Sequence, residues 1–342
     1  MEGSIRREPP HITPGSLDGA TYTPTTDAPE TWDAETTAMM ARALSRTGQY
    51  RVVERLGHRS RYHHGPCEQP RTGLFVDVET TGLDPEADRI IQLALVSFTF
   101  DADGRIYDVE QCVSFLEDPG FPIAPEITQL TGITNEQVKG QTIDDALVAS
   151  MVQRSQLVVA HNASFDRRFL ERRLPVFVEK HWACSLKDIP WTREGFKARN
   201  LEWLAYAHCR VFYDAHRAES DCYMGVHLLA TPLPSGPLAL KVLLDAARKQ
   251  YVRLWAVESE FSAKPLLKDR EYEWSNGDDG RPRAWFRDVS TEDVEAELGW
   301  LASNAYAPGR AGAVRREPID RKARYSDRVG RPSPSTAQRR VI

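Results

Sequence analysis

The sequence predicts an α/β protein: a mixed sheet with flanking helices, a small C-terminal α/β module and disordered termini. First, three consecutive strand-like stretches, at 73–79, 89–99 and 106–115, precede a region where helices and strands alternate. Second, the turn-rich stretch "PLPSGP" at 232–237 separates a shorter helix and strand pattern from the main block. Third, both ends lack hydrophobic periodicity and are rich in polar residues, Pro or Arg.

The bulk composition is that of a globular protein. Of the 342 residues, 41% are hydrophobic and 27% are charged. The five cysteines form no C-x-x-C pair, which argues against a disulfide framework or a zinc knuckle. No apolar stretch is long enough for a membrane helix, and the first residues lack the apolar core of a signal peptide. We therefore expect a cytoplasmic protein with no membrane partner.

The N-terminal part is expected to contribute little to the main fold. Residues 1–31 are rich in Pro, Thr, Gly and Ser and are predicted to be disordered. Residues 32–70 are predicted to form a helical extension and a linker. Its helix spans 33–46, where Asp33 can cap the first turn and where Met39, Met40 and Leu44 lie on one apolar face.

The main block, residues 71–232, continues beyond its first three strands with an alternating pattern. The apolar spacing predicts, in order, helices near 134–138 and 142–152, a strand at 156–162, a helix at 164–173, a strand at 181–186, a helix at 200–208 and a further helix before 232. Such an order favours a mixed sheet that is covered by helices on both faces.

The small module, residues 236–306, combines helices with a hairpin. The predicted elements are helices at 238–248, 261–270 and 291–306 and strands at 251–257, 271–275 and 283–288, with Asn276-Gly277 as a hairpin turn. Basic and aromatic residues alternate on this hairpin. They are expected either to bind single-stranded nucleic acid or to form a small core with solvated charges.

The last segment, residues 307–342, is predicted to be a basic disordered tail. Residues 301–342 hold ten basic and three acidic side chains, whereas residues 71–235 hold 16 basic and 24 acidic ones. An acidic middle repels a polynucleotide unless metal ions intervene, and a basic tail can tether one. Solvation without a partner is the alternative for the tail.

Two carboxylates interrupt the apolar stretch "LFVDVETTGLDP" at residues 74–85. Asp77 and Glu79 are two residues apart, so a strand places both on one face. Adjacent carboxylates repel each other unless a cation lies between them. Gly82 and Pro85 end the strand, which places the pair at its carboxyl end, where ligands bind in open α/β sheets. The pattern therefore indicates a metal site.

Further acids follow other predicted strands and begin predicted helices. Asn162 ends a strand, and Asp166 lies in the first turn of the next helix, where it either binds the metal or complements the helix dipole. His216 and Asp221 are five residues apart. They can converge only if His216 precedes the helix that contains Asp221. A structural role is the alternative for His216.

Together these stretches resemble the three motifs of the DEDD family of 3′–5′ exonucleases, in its His-containing branch, which includes the proofreading epsilon subunit of bacterial DNA polymerase III. The resemblance covers about residues 71–230 and is carried by "FVDVETTGLDP", "EITQLTGIT", "VAHNASFDRRFL" and "AHRAESD". It implies a ribonuclease H-like fold with His216 as general base. It also implies two Mg²⁺ or Mn²⁺ ions, held by Asp77, Glu79, Asp166 and Asp221.

The same resemblance implies how a substrate would bind. Glu79 would hold one ion and the attacking water, and the backbone at Thr80 and Thr81 would receive the terminal 3′ hydroxyl. Leu83 or Phe165 would pack on the last base, and Asn162 would be a further substrate-binding residue. The expected substrate is single-stranded DNA or a frayed 3′ end, and the expected products are nucleoside monophosphates, as in proofreading or repair.

Two other functions compete with this one. The catalytic motifs do not separate DNA from RNA, so an RNA-trimming exonuclease is one alternative. The other is a nucleic-acid-binding adaptor that docks a polymerase complex. A DNA polymerase subunit is a possible partner of the expected exonuclease as well. Metal-dependent turnover would separate an enzyme from an adaptor.

Overall fold

The computed structural model describes residues 33–307 and 314–331. The disorder predicted for residues 1–31 and for the end of the tail lies outside these residues. The described residues fall into two compact units, one ending at Val52 and the other beginning at Val53. No helix within the described ranges is both long and apolar enough to cross a membrane.

The first unit contains helix α1 (Ala34–Arg46). The side chain of Asp33 accepts a hydrogen bond of 2.7 Å from the backbone N–H of Thr36, as the sequence predicts for a capping residue. Met39, Met40 and Leu44 form the predicted apolar stripe, and all three are exposed.

The second unit contains the remaining described elements. Its strands are β1 (Glu54–Arg55), β2 (Arg71–Thr80), β3 (Ile90–Phe100), β4 (Ile106–Leu116), β5 (Leu157–Ala160), β6 (Trp182–Cys184), β7 (Val211–Phe212), β8 (Tyr251–Ala256), β9 (Glu273–Ser275), β10 (Ala284–Ser290) and β11 (Val314–Ile319). Its α-helices are α2 (Pro125–Thr131), α3 (Asn135–Val138), α4 (Asp145–Arg154), α5 (Ala163–Arg173), α6 (Leu201–Leu204), α7 (Ala218–Ala230), α8 (Ala239–Arg248), α9 (Lys264–Asp269) and α10 (Val294–Asn304). Short 3₁₀ segments lie at Pro175–Phe177, Phe261–Ala263 and Arg321–Ala323, and a π-helical turn lies at Ala205–Cys209.

The main sheet has the order β4-β3-β2-β5-β6. β2, β3 and β4 pair antiparallel, whereas β5 runs parallel to both β2 and β6. Leu74, Phe75 and Val76 of the central strand are fully buried because helices cover both faces of the sheet. Phe75 packs into one apolar cluster and Leu74 and Val76 into another. The predicted mixed sheet with flanking helices is therefore confirmed.

The packing of α7 against β2 depends on a glycine. A Cβ atom at Gly225 would lie 2.0 Å from the ring of Phe75, closer than any side chain tolerates. One turn earlier, the thiol of Cys222 approaches the backbone oxygens of Phe75 and Ala94 at 3.6 and 3.5 Å. The absence of a side chain at Gly225 thus lets the helix lie directly on the central strand.

The small module is built on an antiparallel sheet with the order β11-β8-β10-β9. The structure differs from the predicted boundary at its N-terminal side. Leu240 and Leu243 of α8 are fully buried in the same cluster as Phe75, so this helix belongs to the core of the main sheet. Helix α8 follows "PLPSGP" in sequence, but its apolar face packs against the main domain rather than the small module.

The predicted disordered tail is wrong for residues 314–331. β11 pairs with β8 along its whole length, and beyond it Arg324 and Tyr325 are buried. Arg324 forms an ion pair of 2.7 Å with Asp188, and the fully buried Arg167 of α5 donates a hydrogen bond of 2.6 Å to the carbonyl of Arg324. Two of the arginines that suggest a solvated tail, Arg324 and Arg328, are instead paired with Asp188 and Glu171 of the main domain.

Candidate metal centre

Three carboxylates from two elements converge at the carboxyl end of β2. Asp77 and Glu79 of this strand and Asp221 of α7 each place an oxygen within 4.8 Å of the others. The alternation of the strand puts the first two on one face, and the close packing of α7 brings the third onto that face. Within residues 33–307 and 314–331, no lysine or arginine forms an ion pair with this group.

A fourth carboxylate joins this group from the neighbouring parallel strand. β5 leads into α5, whose first turn contains Asp166. Its side chain is only 3% exposed, and its Oδ1 accepts a hydrogen bond of 3.2 Å from the backbone N–H of Val78, the residue between Asp77 and Glu79. Because β2 and β5 are parallel, their carboxyl ends meet at one edge and bring the acids together.

The four carboxylates make one another harder to ionise. Burial and the charges of its three neighbours raise the pKa of Asp77 well above its usual range. Burial, with the charge of Asp221, raises the pKa of Glu79 to about 7, and burial chiefly raises the pKa of Asp166 to about 8. Burial also raises the pKa of Asp221. A cation would reverse these shifts, since it stabilises the ionised forms.

The donor set fits a hard divalent cation. All four groups offer carboxylate oxygens, which such ions prefer, and no thiol belongs to the cluster. A buried carboxylate is costly when its only charged neighbours are other carboxylates. The residues present therefore match what a divalent metal requires, as the sequence analysis expected.

His216 lies in the loop before α7, and Asp221 lies inside the helix, as the five-residue spacing required. The histidine is exposed and has a φ of 62°, a left-handed conformation that few non-glycine residues adopt. Burial raises the pKa of Asp221, and a positive charge on His216 would act in the opposite direction. The backbone N–H of Arg217 donates a 3.0 Å hydrogen bond to Asp221 Oδ2, which fixes the loop against the first helical turn.

The turn after β2 holds three of the predicted substrate-binding residues. Thr80 is buried, and its hydroxyl donates a 2.6 Å hydrogen bond to the carbonyl of Gly82. The N–H of Thr81 already donates to the carbonyl of Arg89 at 2.9 Å, so this amide is not available to a terminal hydroxyl. Leu83 is 79% exposed. The role that the resemblance implies for the backbone at Thr80 and Thr81 stays a prediction, and the exposed Leu83 is free to contact a base.

The other two predicted substrate-binding residues begin α5. Asn162 has a φ of 86°, and its Oδ1 accepts a 3.1 Å hydrogen bond from the hydroxyl of Ser164. Phe165 is half-buried and packs against Phe169, with ring centroids 5.1 Å apart. Both therefore lie within four residues of Asp166 in the chain, at the same edge of the sheet.

Two residues that support the centre were not singled out from the sequence. The hydroxyl of Tyr213 donates a 2.8 Å hydrogen bond to Asp221 Oδ1. The side-chain oxygen of Gln92, which lies opposite Glu79 in the sheet, accepts a 3.3 Å hydrogen bond from the N–H of Ala218 at the start of α7. A polar residue inside the apolar stretch "IIQLALVSF" is unusual, and this position could have indicated the supporting role of Gln92.

Comparisons with known proteins agree with this arrangement. Residues 74–229 match the family model RNase_T, which is described as an exonuclease. A DNA polymerase III PolC-type protein of Listeria welshimeri is 40% identical over 166 residues, which are 47% of this chain. The DNA polymerase III subunit epsilon of Treponema pallidum is 29% identical over 163 residues, 45% of this chain and 73% of the relative.

Two further facts define the extent of these likenesses. The chain spans only 11% of the length of the Listeria relative. A solved structure of an E. coli exonuclease I complex with single-stranded DNA, in a zinc-bound form, has a TM-score of 0.44 at 17% identity, covering 68% of this chain and 71% of that one.

The matched range contains every acid of the centre and the whole main sheet apart from the first residues of β2. The match and the observed mixed sheet agree with the ribonuclease H-like architecture that the motifs implied. Residues 74–229 are therefore similar to the exonuclease domains of this family, in agreement with the resemblance of the sequence motifs.

Proposed function

We propose that the chain is a metal-dependent 3′–5′ exonuclease that releases nucleoside monophosphates from the 3′ end of DNA. The observation that carries the proposal is the convergence of Asp77, Glu79 and Asp221 within 4.8 Å, beside the buried Asp166. Such a group of carboxylates is costly to the fold unless it serves a cation.

In this proposal Asp77, Glu79, Asp166 and Asp221 would hold two Mg²⁺ or Mn²⁺ ions. When bound, the ions supply positive charge to the attacking and leaving oxygens and acidify the attacking water. Tyr213 and the N–H of Arg217 hold the carboxylate of Asp221 in one orientation. Glu79, near the end of the strand, would help to hold one ion and the attacking water.

His216 is the proposed general base. An imidazole can accept a proton near neutral pH, and this one is exposed on the loop that precedes Asp221. The backbone N–H of the next residue, Arg217, donates to Asp221, so the loop holds His216 beside the carboxylate group. Its role is to remove the proton from the water during attack on the phosphodiester.

DNA is proposed as the substrate because the relatives are named as chains of DNA polymerase III. Leu83 and Phe165 offer apolar surface to the last base, which is compatible with any base and so with low sequence specificity. Asn162 is proposed to contact the terminal nucleotide. The accessible end is single-stranded or frayed, and a polymerase subunit is the proposed protein partner.

The proposal is tested by incubating the chain with 5′-labelled single-stranded DNA, duplex DNA with a mismatched end, and RNA. We expect a ladder that shortens from the 3′ end in Mg²⁺ or Mn²⁺, fastest with single-stranded DNA, and no cleavage in EDTA. Faster cleavage of RNA would reassign the substrate to RNA. If no substrate is cleaved in either metal, the proposal of an exonuclease fails, and a nucleic-acid-binding adaptor becomes the favoured function.

A further inference from the structure

A cleft of about 890 Å³ separates the main domain from the small module. Its volume falls in the range of roughly 300–1,000 Å³ that is typical of ligand sites. One wall is made by residues 84–86 and by Ser164 and Arg168 of α5. Residues 84–86 lie in the turn that follows the strand of Asp77 and Glu79, and Ser164 and Arg168 lie two residues before and after Asp166, so this wall is next to the metal centre in the chain. The other wall is made by the β9–β10 hairpin and by residues 324–331.

Most basic side chains of the cleft are already neutralised by acids. Ion pairs of 3.2 Å or less join the following residues: Lys187 with Glu273, Arg199 with Glu271, Arg253 with Asp288, Arg281 with Asp279, Arg287 with Glu297, and Arg324 with Asp188. Arg331 approaches Asp279 and Asp327 at 3.9 Å. The walls therefore do not form a broad electropositive surface. An anion can bind strongly only beside a basic side chain that is not already paired with an acid.

Arg168 is that cation. It lies two residues after Asp166, and its Nε is buried without a hydrogen-bond partner. No acid of residues 33–307 or 314–331 forms an ion pair with it. An unsatisfied buried donor costs free energy, and a planar guanidinium is well suited to bind a phosphate group. Arg168 thus offers the cleft a site for one phosphodiester.

Trp274 offers the same cleft an aromatic surface. Its side chain is 46% exposed, and its indole N–H donates a 2.7 Å hydrogen bond to Asn276. The other aromatic rings of the lining are occupied. Arg324 covers Tyr251 at 3.7 Å and Arg253 covers Phe286 at 4.4 Å, while Tyr272 is buried. A base can therefore stack on Trp274, and such stacking is tolerant of sequence.

We propose that the cleft binds the single-stranded part of the polynucleotide that lies 5′ of the nucleotide being removed. Arg168 binds a phosphate of this segment, and Trp274 stacks with one of its bases. The inference rests on the proposed function, which places the 3′ end at the metal centre. It adds a second binding site, contributed partly by the small module, that a substrate of two or three nucleotides does not reach.

The test measures binding to two oligonucleotides of different length. Fluorescence anisotropy reports the affinity of 5′-fluorescein-labelled (dT)12 and (dT)3 in Mg²⁺, with Asp77→Asn as the background so that nothing is cleaved. We expect Arg168→Gln and Trp274→Ala each to weaken (dT)12 binding about tenfold and to leave (dT)3 binding unchanged. Arg168→Gln should also lower the steepness of the log affinity against log salt plot by about 0.7, and Arg168→Lys should retain that steepness.

Two control variants remove a similar group elsewhere. Lys139→Gln removes an exposed charge and Phe261→Ala an exposed ring, both outside the cleft, and neither should change (dT)12 binding. Unchanged (dT)12 affinity in both cleft variants, or an absence of (dT)12 binding, would overturn the proposal. So would an equal loss for (dT)3 and (dT)12, which would assign Arg168 to the metal centre.

The proposed function is assessed separately in the same series. If the chain with Asp77 intact cleaves neither (dT)3 nor (dT)12, the exonuclease proposal fails, whereas the length dependence of binding still decides whether the cleft holds a single strand. If cleavage occurs but the cleft variants bind (dT)12 as tightly as their background, the enzyme stands and the cleft proposal fails.

Discussion

The metal centre and the small module bury carboxylates in opposite ways. At the centre, burial and a neighbouring carboxylate raise the pKa of Glu79 to about 7. In the module, Glu297 is 4% exposed and accepts hydrogen bonds from Arg270, Arg287 and Tyr272 at 2.9 to 3.1 Å. Burial would raise the pKa of Glu297, but the hydrogen bonds and arginine charges lower it below its usual value.

This difference separates a structural acid from a functional one. Glu297 is neutralised by the chain itself, so its charge serves the packing of α10 against the module sheet. The carboxylates around Asp77 have one another as charged neighbours, so their ionised forms need a cation that the chain does not supply. Burial alone therefore does not identify a functional acid. The charge of the neighbouring side chains does: positive neighbours indicate a structural acid, and negative neighbours indicate a functional one.

The largest expected effect comes from Asp77→Asn. We expect kcat/KM on 5′-labelled single-stranded DNA in Mg²⁺ to fall about a thousandfold, since charge stabilisation worth several kcal/mol is lost. In EDTA the variant should be at least as stable as the unaltered chain, because one repelling carboxylate is gone. Turnover at the unaltered rate, or a clear loss of stability in urea unfolding, would place Asp77 with the structural acids.

His216→Asn is expected to lower kcat about a hundredfold, the usual magnitude for a lost general base. The residue is exposed and lies outside the carboxylate group, so the affinity for Mn²⁺ should stay unchanged. Calorimetric titration of Mn²⁺ measures this affinity, and steady-state cleavage measures kcat. A weakened affinity with an intact kcat would make His216 a metal ligand instead.

Glu297→Gln removes the ion pairs with Arg270 and Arg287. In contrast to Asp77→Asn, it should lower the stability of the fold and leave the activity unchanged. Because Arg270 and Arg287 are about one-third exposed, we expect a loss of about 2 kcal/mol in the free energy of unfolding, less than for a fully buried pair. Cleavage of (dT)3 should be unchanged at temperatures where the variant is folded. Urea unfolding and a (dT)3 assay check both parts, and a large loss of (dT)3 cleavage would contradict a purely structural role.

Substitutions at two helical glycines, one in contact with the main sheet and one not, test how closely α7 must pack to position Asp221. Gly225→Ala places a Cβ against the ring of Phe75 and should cost about 1–3 kcal/mol, with reduced turnover because Asp221 moves with α7. Gly299→Ala in α10 meets nothing within 4 Å and should stabilise the fold by about 0.5–1 kcal/mol. Thermal unfolding of both variants measures the difference, and equal effects would contradict the close contact at Phe75.

The smallest expected effect concerns pH. The folded-state pKa of Glu79 is about 7 and that of Asp166 about 8, above the value of about 4 in an unfolded chain. Their contribution to stability is therefore complete below about pH 4 and is lost as the pH rises through 7 to 8. Since a divalent ion binds the ionised forms, Mg²⁺ should raise Tm by roughly 2–4 °C more at pH 8 than at pH 6.

That pH dependence has its own control. In Asp77→Asn the extra gain at pH 8 should shrink, whereas in Glu297→Gln it should persist. Differential scanning fluorimetry in EDTA and in Mg²⁺ at both pH values gives the comparison. An equal gain from Mg²⁺ at pH 6 and pH 8 would show that the ion does not bind at these carboxylates.

The main sheet and its acids follow from local patterns. The two-residue spacing of Asp77 and Glu79 fixes their common face, and the strand that ends near Asn162 fixes the position of Asp166. These features depend on the alternation of a strand and on the order of elements, which a sequence displays directly. The same patterns correctly placed His216 before α7 and Asp221 within it.

What the sequence did not reveal depends on distant partners. Arg324 is hidden in an Arg-rich stretch, and only the position of Asp188, 136 residues away, converts that stretch from a solvated tail into a buried one. Helix α8 follows a turn that resembles a domain boundary, yet its leucines fill the main core. The absence of a partner for Arg168 Nε is equally invisible in the sequence, because it depends on which distant residues reach that side chain.

The most direct test of the central claim is a calorimetric titration of Mn²⁺ into the EDTA-treated and dialysed chain. We expect two bound ions per chain for the unaltered protein and for Glu297→Gln, and a lower number or a much weaker affinity for Asp77→Asn. An absence of binding to the unaltered chain, or identical binding to Asp77→Asn, would contradict the assignment of the carboxylate cluster as a metal centre.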